Sequence, residues 1–342
     1  MKAIVFHHYG SPDVLHCEEI EKPVPRDNEV VIKVRAASLN PLDGGVMKGK
    51  PYTFRLLSGL SKPKVTQAGV DVAGQVEAVG SNVTQFKPGD EVFGVCIRYP
   101  QDSGVKVWIS QGAFAEYVCA PESTLAIKPD NVSFEQAASV PVAAFTALQG
   151  LRDKGHVQPG QKVLINGAAG GVGTFAVQIA KSFGAHVTGV CSTRNVDMAR
   201  SIGADRVIDY TIEDFSKDDF VKSGQRYDLL FDCVGNRSLS ACLRVLNPKG
   251  ILMLVGAQGS RWVIGIMVRP LQALVLSLFV SQKLIMFLAK PNQDDLNVMC
   301  NLMKTGKVTP VIDRRYKLSE VPEAIRYLEQ KHARGKVVIT FD

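Results

Sequence analysis

The sequence predicts an α/β protein in which a doubly wound parallel sheet follows a mainly β domain. Three observations support this fold class. Short β-like runs separated by turns fill the chain up to about residue 127. From about residue 133, continuous apolar runs alternate with helix-like segments, which is typical of a parallel sheet covered on both faces. A glycine-rich turn follows the first of these apolar runs, where sheets of this kind bind ligands.

Length and composition limit the possible classes of protein. The chain has 342 residues. Because a single hydrophobic core rarely supports a domain of this length, we expect two domains. Hydrophobic residues make up 46% and charged residues 21%, as in ordinary globular proteins. The formal net charge of +7 is compatible with a phosphorylated cofactor, an acidic membrane surface or nucleic acid. No long run of like charges marks a nucleic-acid-binding arm.

The cysteines and the N-terminal residues indicate the cellular compartment in which the protein is expected. Seven widely spaced cysteines without a CxxC pair argue against a disulfide framework and against a Cys-rich metal site. The first residues run directly into a strand-like segment and lack the apolar core and cleavage site of a secretory signal. We therefore expect a cytoplasmic protein, or one in an organelle lumen or stroma if a transit peptide has been removed.

The first part of the chain contains predicted strands and turns. In residues 29–35, Val30, Ile32 and Val34 lie on one face, as in a half-buried strand. The KPGD sequence of residues 87–90 is typical of a turn. Further strands are predicted over residues 114–119 and 125–127.

The second part alternates strands with helices. An Ala-rich helix is expected over residues 134–151, with a break at Pro141. Helices are expected over residues 172–183, 196–202 and 239–246, and strands over residues 162–166, 186–191, 206–209, 227–233 and 251–255. From residue 308 the chain is expected to leave this domain, and a last strand over 336–340 to return to the first one. The predicted domains are therefore 1–127, completed by 308–342, and 128–307.

One apolar segment does not fit this alternation. Residues 262–289 are very apolar but are interrupted by Arg269, Pro270 and Lys283. The uncharged run over 270–282 is too short to span a bilayer, which needs about 20 residues. We interpret the segment as a buried strand and helix at a subunit interface or over the active site. Docking on a membrane surface is the alternative.

The glycine-rich turn predicts a dinucleotide site. Residues 162–173 read KVLINGAAGGVG and run directly into a helix. Gly170 and Gly171 let the backbone approach a pyrophosphate, and Gly173 lets the helix pack close to the strand. The helix N-terminus presents N–H groups to the phosphates, with Ala169 and Val172 in the same turn. This context favours a Rossmann-type site over a turn without ligand, although Ala168 replaces the first glycine of GxGxxG.

The end of the second strand of this domain bears on the choice of cofactor. An NAD-preferring site usually carries Asp or Glu about 20 residues after the glycine turn, but residues 191–195 read CSTRN. Ser192 and Thr193 can donate hydrogen bonds, and the guanidinium of Arg194 suits a phosphate. NADPH is therefore favoured over NADH. The alternative is that Arg194 lies in solvent at the first turn of a helix.

Over essentially its whole length, the chain resembles the zinc-independent quinone oxidoreductase-like branch of the medium-chain dehydrogenase/reductase superfamily. The motifs that carry the resemblance are SLNPLD (38–43), GVDVAG (69–74), KPGDEV (87–92), GAFAEY (112–117), AAGGVG (168–173) and VIDY (207–210). The resemblance implies a GroES-like mainly β domain beside a Rossmann domain, with the cofactor between them. It also implies a small-molecule electron acceptor and an oligomer, which we expect to be a homodimer.

The same resemblance argues against zinc. Zinc-using relatives carry a Cys near residues 38–43 and Gly-His-Glu where this chain has Gly69, Val70 and Asp71. Val70 cannot coordinate a metal, and the Cys-rich lobe that holds structural zinc is missing. Tetrahedral zinc needs three or four Cys, His or carboxylate ligands, so we expect no metal.

The resemblance also suggests the catalytic residues. Without a Lewis acid, hydride transfer to an electron-poor quinone or enone is easier to explain than oxidation of a plain alcohol. Asn40 and Asp43 match residues that the family places beside the nicotinamide. Asn40 would donate a hydrogen bond to the acceptor carbonyl, and Asp43 would orient a water or the ribose. The alternative for Asn40 is a turn residue that caps the strand end before Pro41. Tyr52 is a weaker candidate for the pocket wall.

The remaining site residues are carried over from the resemblance alone. Thr146 would contact the nicotinamide, and Tyr210 would lie near the adenosine 2′-phosphate. Val234 and Gly235 would contact ribose, and Val255 and Gly256 the carboxamide. Lys336 would add positive charge near the phosphate, and Lys290 would lie at the edge of the substrate pocket.

Two other functions remain open. One is reduction of an acyl-thioester or a specialised carbonyl in the same cofactor cleft. The other is a non-catalytic role as an NADPH sensor, an RNA-binding protein or a peripheral membrane protein. Basic residues are scattered without the interleaved aromatic residues of a base-stacking platform, so nucleic acid is not expected. Residues 52–64 and 99–110 are longer than tight turns, and we expect them to act as lids or substrate-selecting walls.

Overall fold

The computed structural model describes residues 1–50, 52, 55, 59–98, 109–110, 112–222, 224–255 and 272–341. The chain divides into two compact units. Unit 1 contains Met1–Ala143, Pro291–Gly306 and Pro310–Asp342, and unit 2 contains Ala144–Lys290 and Lys307–Thr309.

The strands are numbered in chain order. They are β1 (Lys2–Val5), β2 (His16–Glu19), β3 (Glu29–Ser38), β4 (Asp71–Val79), β5 (Glu91–Val95), β6 (Ile97–Arg98), β7 (Ile109–Ser110), β8 (Tyr117–Pro121), β9 (Leu125–Ile127), β10 (Lys162–Asn166), β11 (His186–Cys191), β12 (Arg206–Asp209), β13 (Tyr227–Asp232), β14 (Leu246–Leu254), β15 (Lys283–Met286), β16 (Ile312–Lys317) and β17 (Lys336–Thr340).

The α-helices are numbered in the same way. They are α1 (Pro41–Lys48), α2 (Phe134–Ala138), α3 (Pro141–Gln149), α4 (Gly171–Ser182), α5 (Val196–Ser201), α6 (Asp218–Lys222), α7 (Leu239–Arg244), α8 (Gln293–Lys304) and α9 (Val321–Glu329). A π-helical turn, Gly150–Lys154, follows α3.

Unit 1 is built on a seven-stranded sheet. Its order is β16-β17-β3-β4-β5-β9, and β8 also pairs with β3. All of these pairs are antiparallel except β16 with β17. In β3, Val31 is as buried as Val30 and Ile32, so this part of the strand is covered on both faces instead of half-buried as predicted. The return of the last strand is confirmed, because β17 pairs with β3.

The units divide the chain at different places from the predicted boundaries at 127 and 308. Helix α2 packs against β3, β4, β5 and β17, which takes the end of the first segment of unit 1 to Ala143. Helix α8 packs against β9, and Asn131 donates a hydrogen bond to the carbonyl of Met303. The Pro291–Gly306 segment therefore also belongs to unit 1.

Unit 2 is built on a six-stranded parallel sheet with the order β12-β11-β10-β13-β14-β15. In the unit's own sequence order this is 3-2-1-4-5-6, the strand order of the Rossmann fold. The predicted fold class is thus confirmed. Strands β10, β11 and β12 have the predicted bounds, whereas β14 begins earlier than expected and α6 was not predicted.

The order of the sheet reverses between β10 and β13. At their carboxyl ends, the Asn166 side-chain amide donates a hydrogen bond to the Asp232 carboxylate at 2.8 Å. Ligands of doubly wound sheets bind in the crevice outside this switch point. The fold of unit 2 therefore brings the glycine turn after β10 and the segment after β13 to one ligand-binding edge.

The apolar segment over 262–289 contains helix and strand, and Ala273 and Ala289 are buried, but several of its large described side chains are exposed. Residues 272–277 are helical, and β15 pairs with β14 at one edge of the sheet. Leu278 and Phe279 are 76% and 80% exposed, because β15 is an edge strand and no other described element covers them. Residues 262–271 lie outside the described residues. No helix in the described ranges is long and apolar enough to cross a membrane.

Candidate functional site

A buried polar cluster in unit 1 surrounds Asn40. This residue follows β3, while Asp71 and Lys336 begin the neighbouring strands β4 and β17. The Lys336 ammonium donates to Asn40 Oδ1 at 2.7 Å, to the Leu39 carbonyl at 3.0 Å and to Asp71 Oδ2 at 3.3 Å. Asn40 Nδ2 and Ser38 Oγ each donate to Asp71 Oδ2 at 2.8 Å. The cluster thus joins three adjacent strands through charge-assisted hydrogen bonds.

The alternative prediction for Asn40 was a residue that caps the end of the strand. In the structure the backbone of Asn40 takes a capping position, but at the start of helix α1. Asn40 is the N-cap residue of α1, and its backbone N–H donates to Asp43 Oδ2 at 2.7 Å. Its side chain instead makes its hydrogen bonds with Asp71 and Lys336. Asp43 therefore contributes to the start of the helix, and the Asn40 amide is directed into the polar cluster.

Asp43 carries an unusual carboxyl group. Its side chain is 2% exposed, and its Oδ1 atom has no hydrogen-bond partner among the described residues. Burial raises the pKa of Asp43 to about 7, and the neighbouring Asp71 carboxylate acts in the same direction. The backbone N–H groups of Asn40 and Gly69 and the Lys336 ammonium act in the opposite direction, but burial dominates. Asp43 can therefore gain or lose a proton near neutral pH.

The position of Lys336 corrects the prediction that it contributes charge near a phosphate. Its side chain is 3% exposed, and its three N–H donors are directed to Leu39, Asn40 and Asp71. No donor remains for a phosphate, because an ammonium has only three. We therefore assign Lys336 to the cluster around Asn40.

The glycine turn of unit 2 has the geometry of a phosphate cradle. Gly167 has a positive φ of 87°, and Gly170 is the N-cap residue of α4. A Cβ atom at Gly173 would lie 2.0 Å from the Gly167 carbonyl oxygen, so α4 packs against the turn after β10 too closely for a side chain at this position. Ala169 is buried in the turn, and Gly171 and Val172 open the helix. The first N–H groups of a helix have no acceptor within it, which suits an anion.

The segments after β13 and β14 lie at the same edge of the sheet. Val234 and Gly235 donate backbone hydrogen bonds to Asp232 Oδ1 at 3.1 and 2.8 Å, which fixes the turn after β13. A Cβ atom at Gly167 would lie 2.7 Å from a methyl group of Val234, so the two turns are in contact. Val255 donates its backbone N–H to the Asp232 carbonyl. Gly256, the other predicted carboxamide contact, lies outside the described residues.

The predicted 2′-phosphate residues follow β11 and β12. Ser192 is half-buried, whereas Thr193, Arg194 and Tyr210 are exposed. The structure also brings here the carboxylate of Asp209, which lies outside residues 191–195 in the sequence. Asp209 accepts a hydrogen bond from Thr211, whose hydroxyl lies 2.9 Å from that of Thr193. Hydrogen bonds lower the pKa of Asp209, and the one from the Thr193 side chain has the largest effect. This carboxylate is therefore ionised near the predicted phosphate position.

Thr146 and Lys290 both belong to unit 2, where α3 is hydrogen-bonded to the backbone of Lys290. Thr146 is half-buried on α3, and Gln149, one turn later, makes two hydrogen bonds to the backbone of Lys290 at 2.7 and 2.9 Å. Tyr52 does not join the cluster around Asn40. It is 43% exposed, and its ring lies 5.0 Å from the guanidinium of Arg55.

Comparison with known proteins identifies the family. Residues 26–130 match the alcohol dehydrogenase GroES-like domain, and residues 202–339 match the zinc-binding dehydrogenase domain. The chain is 32% identical to the chloroplast envelope quinone oxidoreductase homolog of Arabidopsis thaliana, over 99% of this chain and 98% of that protein. The chain belongs to the quinone oxidoreductase-like branch of the medium-chain dehydrogenase/reductase superfamily.

Two further relatives agree with this assignment. The chain is 35% identical to the chloroplastic NADPH-dependent alkenal/one oxidoreductase of Arabidopsis thaliana, over 99% of this chain and 79% of that protein. The solved quinone oxidoreductase from Coxiella burnetii has a TM-score of 0.82 and 32% identity, covering 100% of this chain and 99% of that one. As a member of this superfamily, the protein is a pyridine-nucleotide-dependent oxidoreductase with a GroES-like and a Rossmann domain.

One matched domain is a zinc-binding dehydrogenase domain, which raises the question whether this chain has residues that could bind zinc. The described residues contain no group of three His, Cys, Asp or Glu side chains that could hold a metal ion. Where zinc-using members have a histidine, this chain has Val70, which is buried beside Asp71. Asp71 is the functional candidate that sequence reasoning missed. The sequence signal for Asp71 was an acidic residue between the apolar residues Val70 and Val72, since a buried carboxylate needs hydrogen-bond partners.

Proposed function

We propose that this protein transfers hydride from NADPH to a quinone or an α,β-unsaturated carbonyl without using zinc. The observation that carries the proposal is the glycine turn at the switch point of a 3-2-1-4-5-6 parallel sheet, which is suited to a dinucleotide. The buried Asn40 amide and the Asp43 carboxyl, with its pKa of about 7, supply polar groups for an electron acceptor. The names of the relatives above support this class of acceptor.

Each end of the proposed cofactor site has its own residues. NADPH, when bound, supplies the hydride. The N-terminus of α4, with Ala169, Gly170, Gly171 and Val172, would bind the pyrophosphate, because the first N–H groups of a helix have no acceptor within it. Val234 and Gly235 would contact ribose, and Val255 and Gly256 the carboxamide. Thr146 would pack against the nicotinamide.

The acceptor end is assigned to Asn40 and Asp43. One N–H of Asn40 Nδ2 binds Asp71, and the other would donate to the acceptor oxygen as negative charge develops there. Asp43 would hold a proton at its carboxyl group and orient a water or the ribose hydroxyls. We also assign Tyr52 and Lys290, each exposed on its own unit, to the substrate pocket.

A panel of electron acceptors tests the function. NADPH oxidation is followed by its near-ultraviolet absorbance with quinones, α,β-unsaturated carbonyls and acyl-thioesters, and NADP⁺ reduction is followed with plain alcohols, each with and without EDTA. We expect turnover of quinones or enones that EDTA does not change. Turnover restricted to thioesters would support the second reductase class, and loss of activity with EDTA would contradict zinc independence. NADPH binding without any turnover would support a sensing role.

The preference for NADPH is proposed to depend on Arg194. Replacing this exposed arginine with alanine removes a charge-assisted hydrogen bond to the 2′-phosphate, so kcat/KM for NADPH is expected to fall about tenfold. The value for NADH, which lacks that phosphate, should change less than about twofold. Arg200→Ala, an exposed arginine on the following helix, is the matched control and should leave both values unchanged. Equal losses with both cofactors would contradict this role.

A homodimer is proposed to form over the apolar edge of unit 2. Leu278, Phe279 and Leu288 expose large apolar side chains beside the edge strand β15, and exposed apolar groups of this kind mark subunit interfaces. Sedimentation velocity should show a dimer for the wild type and a monomer for Leu278→Glu/Phe279→Glu at micromolar concentration. Ile212→Glu, an equally exposed apolar residue after β12 at the opposite edge, should remain dimeric. A dimer in the double variant would contradict the assignment.

A further inference from the structure

The Asn40 amide lies between two buried groups of opposite charge. Its Oδ1 atom accepts a hydrogen bond from the Lys336 ammonium at 2.7 Å, and its Nδ2 atom donates one to the Asp71 carboxylate at 2.8 Å. A flipped amide would place donor against donor at Lys336 and acceptor against acceptor at Asp71. The two charges therefore select a single orientation of the amide.

Both charged groups are held independently of Asn40. Asp71 also accepts hydrogen bonds from Ser38 Oγ and from the backbone N–H of Val142, at 2.8 and 3.0 Å. Lys336 also donates to the Leu39 carbonyl. Ser38 pairs with Asp71 across β3 and β4, and with Val338 across β3 and β17, so the sheet register fixes the spacing of the charges. A polar group supported in this way by regular strands is held more firmly than one on a loop.

We propose that Asp71 and Lys336 are positioning residues that fix the Asn40 amide so that its second Nδ2 N–H is available to the acceptor oxygen. The inference rests on the proposed function, in which Asn40 acts on that oxygen. In the described residues this second N–H has no hydrogen-bond partner. The positive charge at Oδ1 also polarises the amide and makes Nδ2 a stronger donor. A donor fixed before the reaction needs no reorganisation when charge develops.

The test removes the ammonium and compares it with a matched buried lysine. Lys336→Gln is expected to lower kcat about 30-fold, a partial loss of the 10²–10³-fold effect typical of an oxyanion donor. The Kd for NADPH, from fluorescence titration, should stay within about twofold. Lys128 is the control, because its ammonium is also buried in unit 1, lies 3.0 Å from Glu91 and does not contact Asn40. Lys128→Gln should lower the melting temperature and leave kcat unchanged.

A double-mutant cycle separates positioning from general stability. If Lys336 acts through Asn40, Lys336→Gln in an Asn40→Ala background should change kcat by less than about twofold. An undiminished loss in that background, or no loss in the single variant, would overturn the inference. Asp71→Asn should show the same dependence on Asn40, and it provides the test if the lysine variant does not fold.

A measurement without turnover keeps this inference separate from the proposed function. The side-chain amide protons of Asn40 can be identified by NMR from their absence in Asn40→Ala. In the wild type, the Nδ2 proton bound to Asp71 should exchange with solvent about 100-fold more slowly than in Lys336→Gln, where the amide can rotate. Equal exchange in the two proteins would overturn the inference even if no acceptor is reduced. Slow exchange without turnover would retain the positioning and contradict only the proposed acceptors.

Discussion

Replacing Gly173 with alanine is expected to destabilise unit 2 by about 3 kcal/mol and to lower the melting temperature by roughly 10 °C. The physical reason is backbone crowding, since the new Cβ would lie 2.0 Å from the Gly167 carbonyl oxygen and 2.9 Å from the Ala168 Cα. Helix α4 would have to move away from the turn, and its N–H groups would move with it. NADPH binding should therefore weaken at least 100-fold in the protein that remains folded, measured by titration calorimetry below the unfolding transition.

Gly170→Ala separates the effect on folding from the effect on the cofactor. Its Cβ would approach the Gly167 carbonyl only to 3.4 Å, and its φ of −84° is accessible to alanine. We expect a melting temperature near that of the wild type together with weaker NADPH binding, because the added methyl group would occupy the phosphate cradle. A normal melting temperature for Gly173→Ala would show that helix and turn are not constrained as described.

Replacing Asp43 with asparagine is expected to stabilise the protein increasingly as the pH rises. Burial raises the pKa of Asp43 to about 7, well above its ordinary value of 3.8, so the folded state binds this proton more tightly than the unfolded state. The stability that the proton provides is present at acidic pH and is lost as the pH rises through about 7. Relative to the wild type, Asp43→Asn should therefore gain roughly 2–3 kcal/mol between pH 5 and pH 8.

Urea unfolding at pH 5, 6, 7 and 8 provides this measurement. Asp90→Asn is the matched control, because the pKa of Asp90 is lowered by its hydrogen bonds to Lys87 and this carboxyl does not titrate in that range. Its difference from the wild type should be constant with pH. A constant difference for Asp43→Asn as well would mean that Asp43 is ionised throughout, and its proposed role in holding a proton would be abandoned.

The strands of unit 2 were predictable from sequence for a physical reason. Strands β10 and β11 each start with one exposed residue that precedes a short, largely apolar run, so burial marks where they begin. Helix α6 was missed because its five residues, DDFVK, contain a single fully buried side chain, Phe220, and show no helical periodicity. Strand β14 begins before its apolar run, because Leu246 pairs with Tyr227 of β13 ahead of a register shift between these two strands.

The candidate site was predictable only in part. Asn40 and Asp43 are close in sequence, and the turn between them defines their geometry. The contacts of Asn40 with Asp71 and Lys336 span 31 and 296 residues, and they depend on strand register. Register is set by the packing of whole faces, which no local motif records. Lys336 was therefore predicted as a site residue and assigned to the wrong group.

The pairing of β17 with β3 affects the order in which the two units fold during synthesis. Residues 144–290 form nearly all of unit 2 as one continuous segment, so this unit can fold while synthesis is still in progress. Unit 1 cannot, because Val338 must find Ser38 and Lys336 must find Asn40 after almost 300 intervening residues have emerged. The nascent chain thus has its Rossmann fold before it has the polar cluster around Asn40, to which we assign the acceptor.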